Sequence, residues 1–200
     1  MKTLIQSGQE KILSLFYAEK SASIHLREIA RKTKLNENSA YRFLNQLEKQ
    51  HILSSKKEGN LKKYGLQKND AVYSILSYFD IQRFNSLPNI RKNAILYFLQ
   101  QLGDQPIIAF LFGSTAKSTF SNQSDVDILL IVNKKINTSK AEKYADSQTA
   151  LAINPIQITY DELKLELKLK NDLVIQSAIN TGYPITNHIE YYRMINNERI

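Results

Sequence analysis

Apolar residues recur at helical spacing through the first fifty positions. Ile12, Leu13, Leu15 and Phe16 predict a helix from Gln9 to Glu19, and Leu26, Ile29 and Ala30 form one face of a second from His25 to Lys32. Leu35-Asn36-Glu37-Asn38 breaks the period, and Asn36 or Asn38 suits the cap of a third helix reaching about Lys49. Ala40, Phe43, Leu44 and Leu47 are its apolar stripe. Two short extended runs then flank Gly59-Asn60, the pattern of a β-hairpin.

Two more helical patterns, Val72 to Phe84 and Ile90 to Leu102, are separated by Pro88. Tyr73, Ile75, Leu76, Tyr78 and Phe79 make the first very apolar, as in a core helix or a dimer helix. Ile107 to Phe112 is a continuous apolar run, read as a buried strand, and Val126 to Val132 is a second. Lys140 to Leu151 predicts a helix and Pro155 to Thr159 a strand. From Asp161 to Lys170, Leu163, Leu165, Leu167 and Leu169 alternate with charge, which fits a helix or a strand. Asp172 to Asn180 reads as a helix ended by Gly182, followed by a short strand and a final helix. The expected class is α+β. The expected organisation is a helical and hairpin domain (1–70), a helical connector (71–104) and a mixed-sheet domain (105–200).

Charge sharpens this division. Of a net charge of +8, residues 1–70 hold nearly all, with 14 Lys/Arg against 7 Asp/Glu, while residues 71–200 hold 13 against 12. A basic module joined to a near-neutral one suggests a polyanion partner for the first. The 200 residues include no cysteine, which excludes disulfides and thiolate–zinc sites. No apolar run approaches the roughly 20 residues that span a bilayer, and no signal-peptide core opens the chain. A cytoplasmic protein is expected. His25, His51 and His188 are scattered and read as structural.

The chemistry concentrates after the first apolar strand. That strand ends at Gly113-Ser114, and ten residues later Asp125 and Asp127 open the next. Two residues apart on a strand, they share a face. Paired carboxylates repel unless a cation lies between them, and their hard oxygens suit Mg²⁺ or Mn²⁺. Gly113 lets a ligand approach the backbone closely, while Ser114 offers a hydroxyl and a cap at the start of a helix.

Gly-Ser, ten residues, then Asp-x-Asp on an apolar strand resembles the DNA polymerase beta superfamily, above all its minimal nucleotidyltransferase branch. The resemblance implies transfer of a nucleoside monophosphate from a triphosphate, ATP being the expected one, to an acceptor hydroxyl. By motif position Gly113, Ser114 and Lys117 would hold nucleotide, and Asp125 and Asp127 would be the catalytic metal ligands. The family usually adds a third carboxylate on a later strand, and Gln157 is the residue expected at that place. Asp146, Asp161 and Glu162 read as structural. Phe112, Tyr183 and Tyr191 are candidates for base stacking, with core packing the stronger expectation.

The phrase Leu26 to Leu53 resembles a winged helix-turn-helix, with a match over about residues 1–68. The resemblance implies that the third helix enters the major groove of double-stranded DNA. Asn38, Ser39, Tyr41, Arg42 and Asn45 fall mostly off its apolar stripe and would form the DNA-facing side, Arg42 and Asn45 being the best base-edge candidates, and Lys56, Lys57, Lys62 and Lys63 of the hairpin would meet phosphates. Three readings stay open: a DNA-binding homodimeric regulator that binds nucleotide and transfers it, one that only senses nucleotide, and an antitoxin-like enzyme acting on a partner toxin. A membrane partner is not expected.

Overall fold

Helix α1 (Ser7–Ala18) buries Gly8, Ile12, Leu13 and Phe16, a stripe at three- and four-residue spacing. The computed structural model describes residues 5–198 and divides into two units, residues 1–79 and 80–200. In the first unit β1 (Ile24–His25) leads directly into α2 (Leu26–Thr33). His25 caps that helix, its Nδ1 accepting from the Glu28 amide at 3.3 Å, so this histidine is structural. Helix α3 (Glu37–Lys49) is capped by Asn36, whose Oδ1 accepts from the Ser39 amide at 2.8 Å. A cap of this kind stabilises a helix by about 1 kcal/mol.

The hairpin follows as β2 (Leu53–Glu58) and β3 (Leu61–Leu66), turning through Gly59 at φ 59°. Only a residue without a β-carbon holds that left-handed conformation cheaply. Strand β1 adds itself antiparallel to β3, a pairing the two-residue length conceals in the sequence. Glu48 of α3 fastens the hairpin, accepting from Lys62 Nζ at 2.8 Å and from the Ser55 hydroxyl. Ile12, Phe16, Ile29, Leu44, Leu53 and Tyr64 are buried beneath. Three helices closed by a three-stranded antiparallel sheet is the arrangement expected of a winged helix-turn-helix.

Helix α4 (Asp70–Asn85) and α5 (Asn89–Gln101) occupy the helical segment expected over 71–104. Helix α5 packs Ala94, Ile95 and Phe98 into the core of the second unit. That core lies on a four-stranded mixed sheet: β4 (Ile108–Leu111), β5 (Val126–Val132), β6 (Ile153–Thr159) and β7 (Tyr183–Pro184), in the order β6-β5-β4-β7. Only β5 and β6 run parallel. Between β4 and β5 lies the short α6 (Gly113–Lys117), and α7 (Ser139–Thr149) connects β5 to β6. Even-numbered β5 residues Val126, Ile128, Leu130 and Val132 face the cluster that includes α5 and α7. Odd-numbered ones, Asp127 included, face the other side.

The leucine alternation after β6 folds as α8 (Tyr160–Leu169). A full capping box decides for the helix: Thr159 and Glu162 each bond the other's backbone amide. Helical geometry then buries Leu163 and Leu167 and leaves Leu165 and Leu169 outside. Helices α9 (Leu173–Thr181) and α10 (His188–Glu198) complete the unit.

Strand β6 is an edge. The Val126 amide donates to Ala152 O, and with the parallel register this turns the backbone groups of residues 152, 154, 156 and 158 toward β5. Residues 153, 155 and 157 face outward, so the missing amide of Pro155 falls on the free side, where a proline costs the ladder nothing. Among the described residues no helix is long and apolar enough to cross a membrane.

Candidate functional site

The Gly113-Ser114 step and Asp127 meet because β4 and β5 are antiparallel neighbours. Leu111 pairs with Ile128, and the Phe112 amide donates to Asp127 O at 3.2 Å. The chain then turns sharply at Gly113, where φ is 68°. A β-carbon here would collide with Asp127 Oδ2 and stand 2.9 Å from its Cγ. The carboxylate of Asp127 therefore lies flat against bare backbone at the entrance to α6. Glycine is required twice over, for conformation and for space.

Helix α6 has only five residues, so its dipole adds little. The cap position falls on Phe112, which makes no side-chain cap bond, and Ser114 is the second helical residue. Ser114 therefore does not cap α6 as its place in the sequence suggests; it is half-buried, two residues past the cap. Lys117 is exposed in the last turn, and Ser118 ends the helix at φ 58°. Phe112, Tyr183 and Tyr191 are all buried, as core packing requires. Tyr183 lies under Arg83, 4.1 Å from ring centre to guanidinium carbon, and burial pushes its hydroxyl up to about 12.

Asp125 stands one residue before β5 and is exposed, whereas Asp127 is half-buried within the strand. Directly across the parallel pairing from Asp127 is Asn154, whose Nδ2 donates to Asp127 Oδ1 at 3.0 Å. This corrects the expectation about Gln157. Gln157 pairs with Leu130, three residues along and hence on the opposite face. Its amide instead clips the loop after β5, accepting from the Ile136 amide and donating to Ile136 O, both at 2.9 Å. The place beside the aspartates thus belongs to Asn154, and it is neutral. Among the described residues no group of three His, Cys, Asp or Glu gathers to hold a metal.

Two hard carboxylates, one on β5 and one just before it, still suit a magnesium ion, which commonly takes one or two protein carboxylates and completes its shell from phosphate oxygens and water. The space a side chain at Gly113 would need is taken by the Asp127 carboxylate, so the backbone there stays bare beside a candidate metal ligand. A metal carried by a triphosphate fits this donor set; a metal held by protein alone does not.

A buried arginine underlies the loop between the two motifs. Arg91 of α5 is 2% exposed. Its Nη1 donates to Thr115 Oγ1 at 2.9 Å, and its Nη2 donates to Ser121 O at 2.7 Å and Ser124 O at 3.0 Å. The ring of Phe120 lies 4.1 Å from its guanidinium carbon. Burial pushes the guanidinium below its ordinary value, and the charge of Asp125 acts the other way. Nothing in the helical pattern of residues 90–102 singles Arg91 out from a solvated arginine. A second arginine, Arg83, donates to Ala116 O at 2.9 Å.

In the first unit Asn38, Tyr41 and Arg42 are exposed on α3, and Ser39 and Asn45 are half-buried. Lys62 is tied to Glu48 and Lys63 to Glu58. Lys56 and Lys57 carry no such tie among the described residues.

Residues 92–190 match the family model described as Polymerase beta, nucleotidyltransferase. The matched residues lie within the second unit and make up most of it. No curated protein matches the chain. Among solved structures, it is similar to one described as the crystal structure of the toxin-antitoxin with AMP-PNP, at 16% identity, covering 54% of this chain and 86% of that one, TM-score 0.37. It is also similar to Lactococcus lactis ZitR, solved as a point mutant (20% identity, 50% of this chain, 75% of that one, TM-score 0.30). The wild-type ZitR complex with DNA gives 17%, 50%, 74% and 0.29. Likeness this distant carries no function across.

Proposed function

We propose that the chain is a DNA-binding regulator whose second unit binds a nucleoside triphosphate with Mg²⁺ or Mn²⁺, ATP being the first to test. The observation that carries this is the Gly113–Asp127 contact: a carboxylate laid against bare, left-handed backbone one residue before Ser114, in a segment that matches a nucleotidyltransferase family. Gly113 and Ser114 would take the phosphates. Asp125 and Asp127 would take the metal that the triphosphate brings, which would neutralise phosphate charge and align the α-phosphorus. Lys117, exposed one turn away, would add charge from solvent.

Nucleotidyl transfer forms a bond from an acceptor oxygen to the α-phosphorus, expels pyrophosphate, and requires a base for the acceptor's proton. With Asn154 beside Asp127, no uncommitted third carboxylate stands ready among the described residues to take that proton or a second metal. This favours binding over fast turnover, and so a nucleotide-sensing domain over a vigorous enzyme. The α3 face bearing Asn38, Ser39, Tyr41, Arg42 and Asn45 and the hairpin lysines would supply the DNA side, the regulator acting as a homodimer on two half-sites. An antitoxin-like enzyme that modifies a partner protein is the alternative.

The deciding experiment incubates the full chain with α-labelled ATP and Mg²⁺, beside the variant Asp125→Ala/Asp127→Ala. Mg-dependent binding by wild type alone supports the pocket. Label passing covalently to protein or nucleic acid moves the reading to the enzyme. No binding by wild type overturns the proposal.

A further inference from the structure

We infer that Arg91 is a positioning residue for the metal end of this pocket, its guanidinium fixing Asp125 relative to Ser114. The inference rests on the proposal that Asp125 and Asp127 receive a metal–triphosphate. Asp127 is placed by its strand and by Asn154. Asp125 lies outside the strand and is exposed, so its place is set by the turn before it.

That turn is closed on itself. The Ser124 amide donates to Ser121 O at 3.2 Å, and the Ser121 amide donates to Ser124 Oγ at 2.9 Å. One nitrogen of Arg91 holds both of its carbonyls, Ser121 O and Ser124 O. The other holds Thr115, the residue after Ser114. The same helical stretch is pinned to the loop by the Thr119 amide donating to Ser114 O at 3.0 Å. A single rigid fork therefore spans the phosphate end and the carboxylate end of the loop. A buried guanidinium needs a compensating set of acceptors, and here all three named ones belong to this loop. Magnesium demands near-ideal octahedral geometry, and a functional constellation tolerates only about 0.5 Å of drift. Lysine, a point donor on a flexible stem, cannot bridge both ends.

The test titrates the full chain with ATP calorimetrically, in EDTA and in MgCl₂, with thermal melting to confirm folding. Wild type is expected to bind ATP more tightly with Mg²⁺. Arg91→Lys is expected to lose about 10- to 100-fold of that metal-dependent gain, the range seen when groups behind metal ligands are changed, while its ATP affinity in EDTA stays at the wild-type value. A folded Arg91→Lys with wild-type magnesium dependence overturns the inference. Equal losses with and without Mg²⁺ also overturn it, since they signal general disruption. If Arg91→Lys does not fold, Thr115→Val and Phe120→Leu retain the guanidinium and test the same point: the metal-dependent gain should fall in both, and wild-type behaviour in both overturns the inference. Absence of any Mg-dependent ATP binding by wild type is a separate result, visible before any substitution, and it removes the underlying proposal together with this one.

Discussion

The backbone of Gly113 and the carboxylate of Asp127 occupy adjoining space that no β-carbon can enter. Gly113→Ala forces both a left-handed alanine, costing about 1 kcal/mol, and displacement of Asp127. The expected outcome is a melting temperature only a few degrees lower, with Mg-dependent ATP binding abolished. Calorimetric titration beside a melting curve separates the two effects. Wild-type ATP affinity in this variant would remove the Gly113 backbone from the binding site.

Asn154 is where a third carboxylate would lie, so Asn154→Asp should behave as a metal-dependent switch. Without metal, a third negative charge beside Asp127 and Asp125 is repulsive and the chain should melt earlier than wild type. With Mg²⁺ the stability should be recovered, because a ligand that binds only the folded state stabilises it. A melting temperature that responds to Mg²⁺ no more than wild type would show that residue 154 does not reach the ion. Labelled-ATP transfer should also rise in this variant.

The hairpin lysines divide by their ties. Lys56 and Lys57 lack carboxylate partners among the described residues, whereas Lys62 and Lys63 are held by Glu48 and Glu58. Replacing Lys56 and Lys57 by alanine should weaken DNA binding more than replacing Lys62 and Lys63. For every lysine that meets a phosphate, its removal should lower the slope of log affinity against log salt by about 1. Equal effects in a salt-series mobility shift would contradict this division.

Acid should loosen the first unit through Glu48. Hydrogen bonds from Lys62 and Ser55 hold its carboxyl below the ordinary glutamate value. A depressed folded value means the contribution is present above the unfolded value, about 4.3, and disappears as pH falls through the folded one. Lys62 is raised by the same bond, so its share is present below about 10.4 and disappears in stronger alkali. Melting of Glu48→Gln should vary less with pH than wild type below about pH 4.3. Parallel curves would assign the acid sensitivity elsewhere.

Most elements are legible in the sequence because their apolar residues keep a strict period. Ile12, Leu13 and Phe16 announce a buried helical stripe, and Val126 to Val132 announces a buried strand. Gly113, Ser114, Asp125 and Asp127 are legible because four constrained residues fall at one spacing. The neighbour of Asp127 is not. The strand legible in the sequence, residues 155 to 159, starts after Asn154 and says nothing of its register against β5, where a shift of three residues exchanges Asn154 for Gln157 on the other face. Arg91 is hidden for a related reason: an arginine in an amphipathic helix reads as surface until the loop that folds over it is known. The leucines of α8 need the Thr159–Glu162 cap to choose between two periods.

Pro155 on the outer side of β6 bears on how this domain can meet other proteins. An incoming strand would seek an amide at that point and find a ring, with a mismatch in the middle of only seven residues. Strand addition along this edge is thereby discouraged, which guards the sheet against open-ended stacking of its own copies. Partners of the second unit are steered to helical faces and loops, where side chains rather than a shared backbone ladder decide who is accepted.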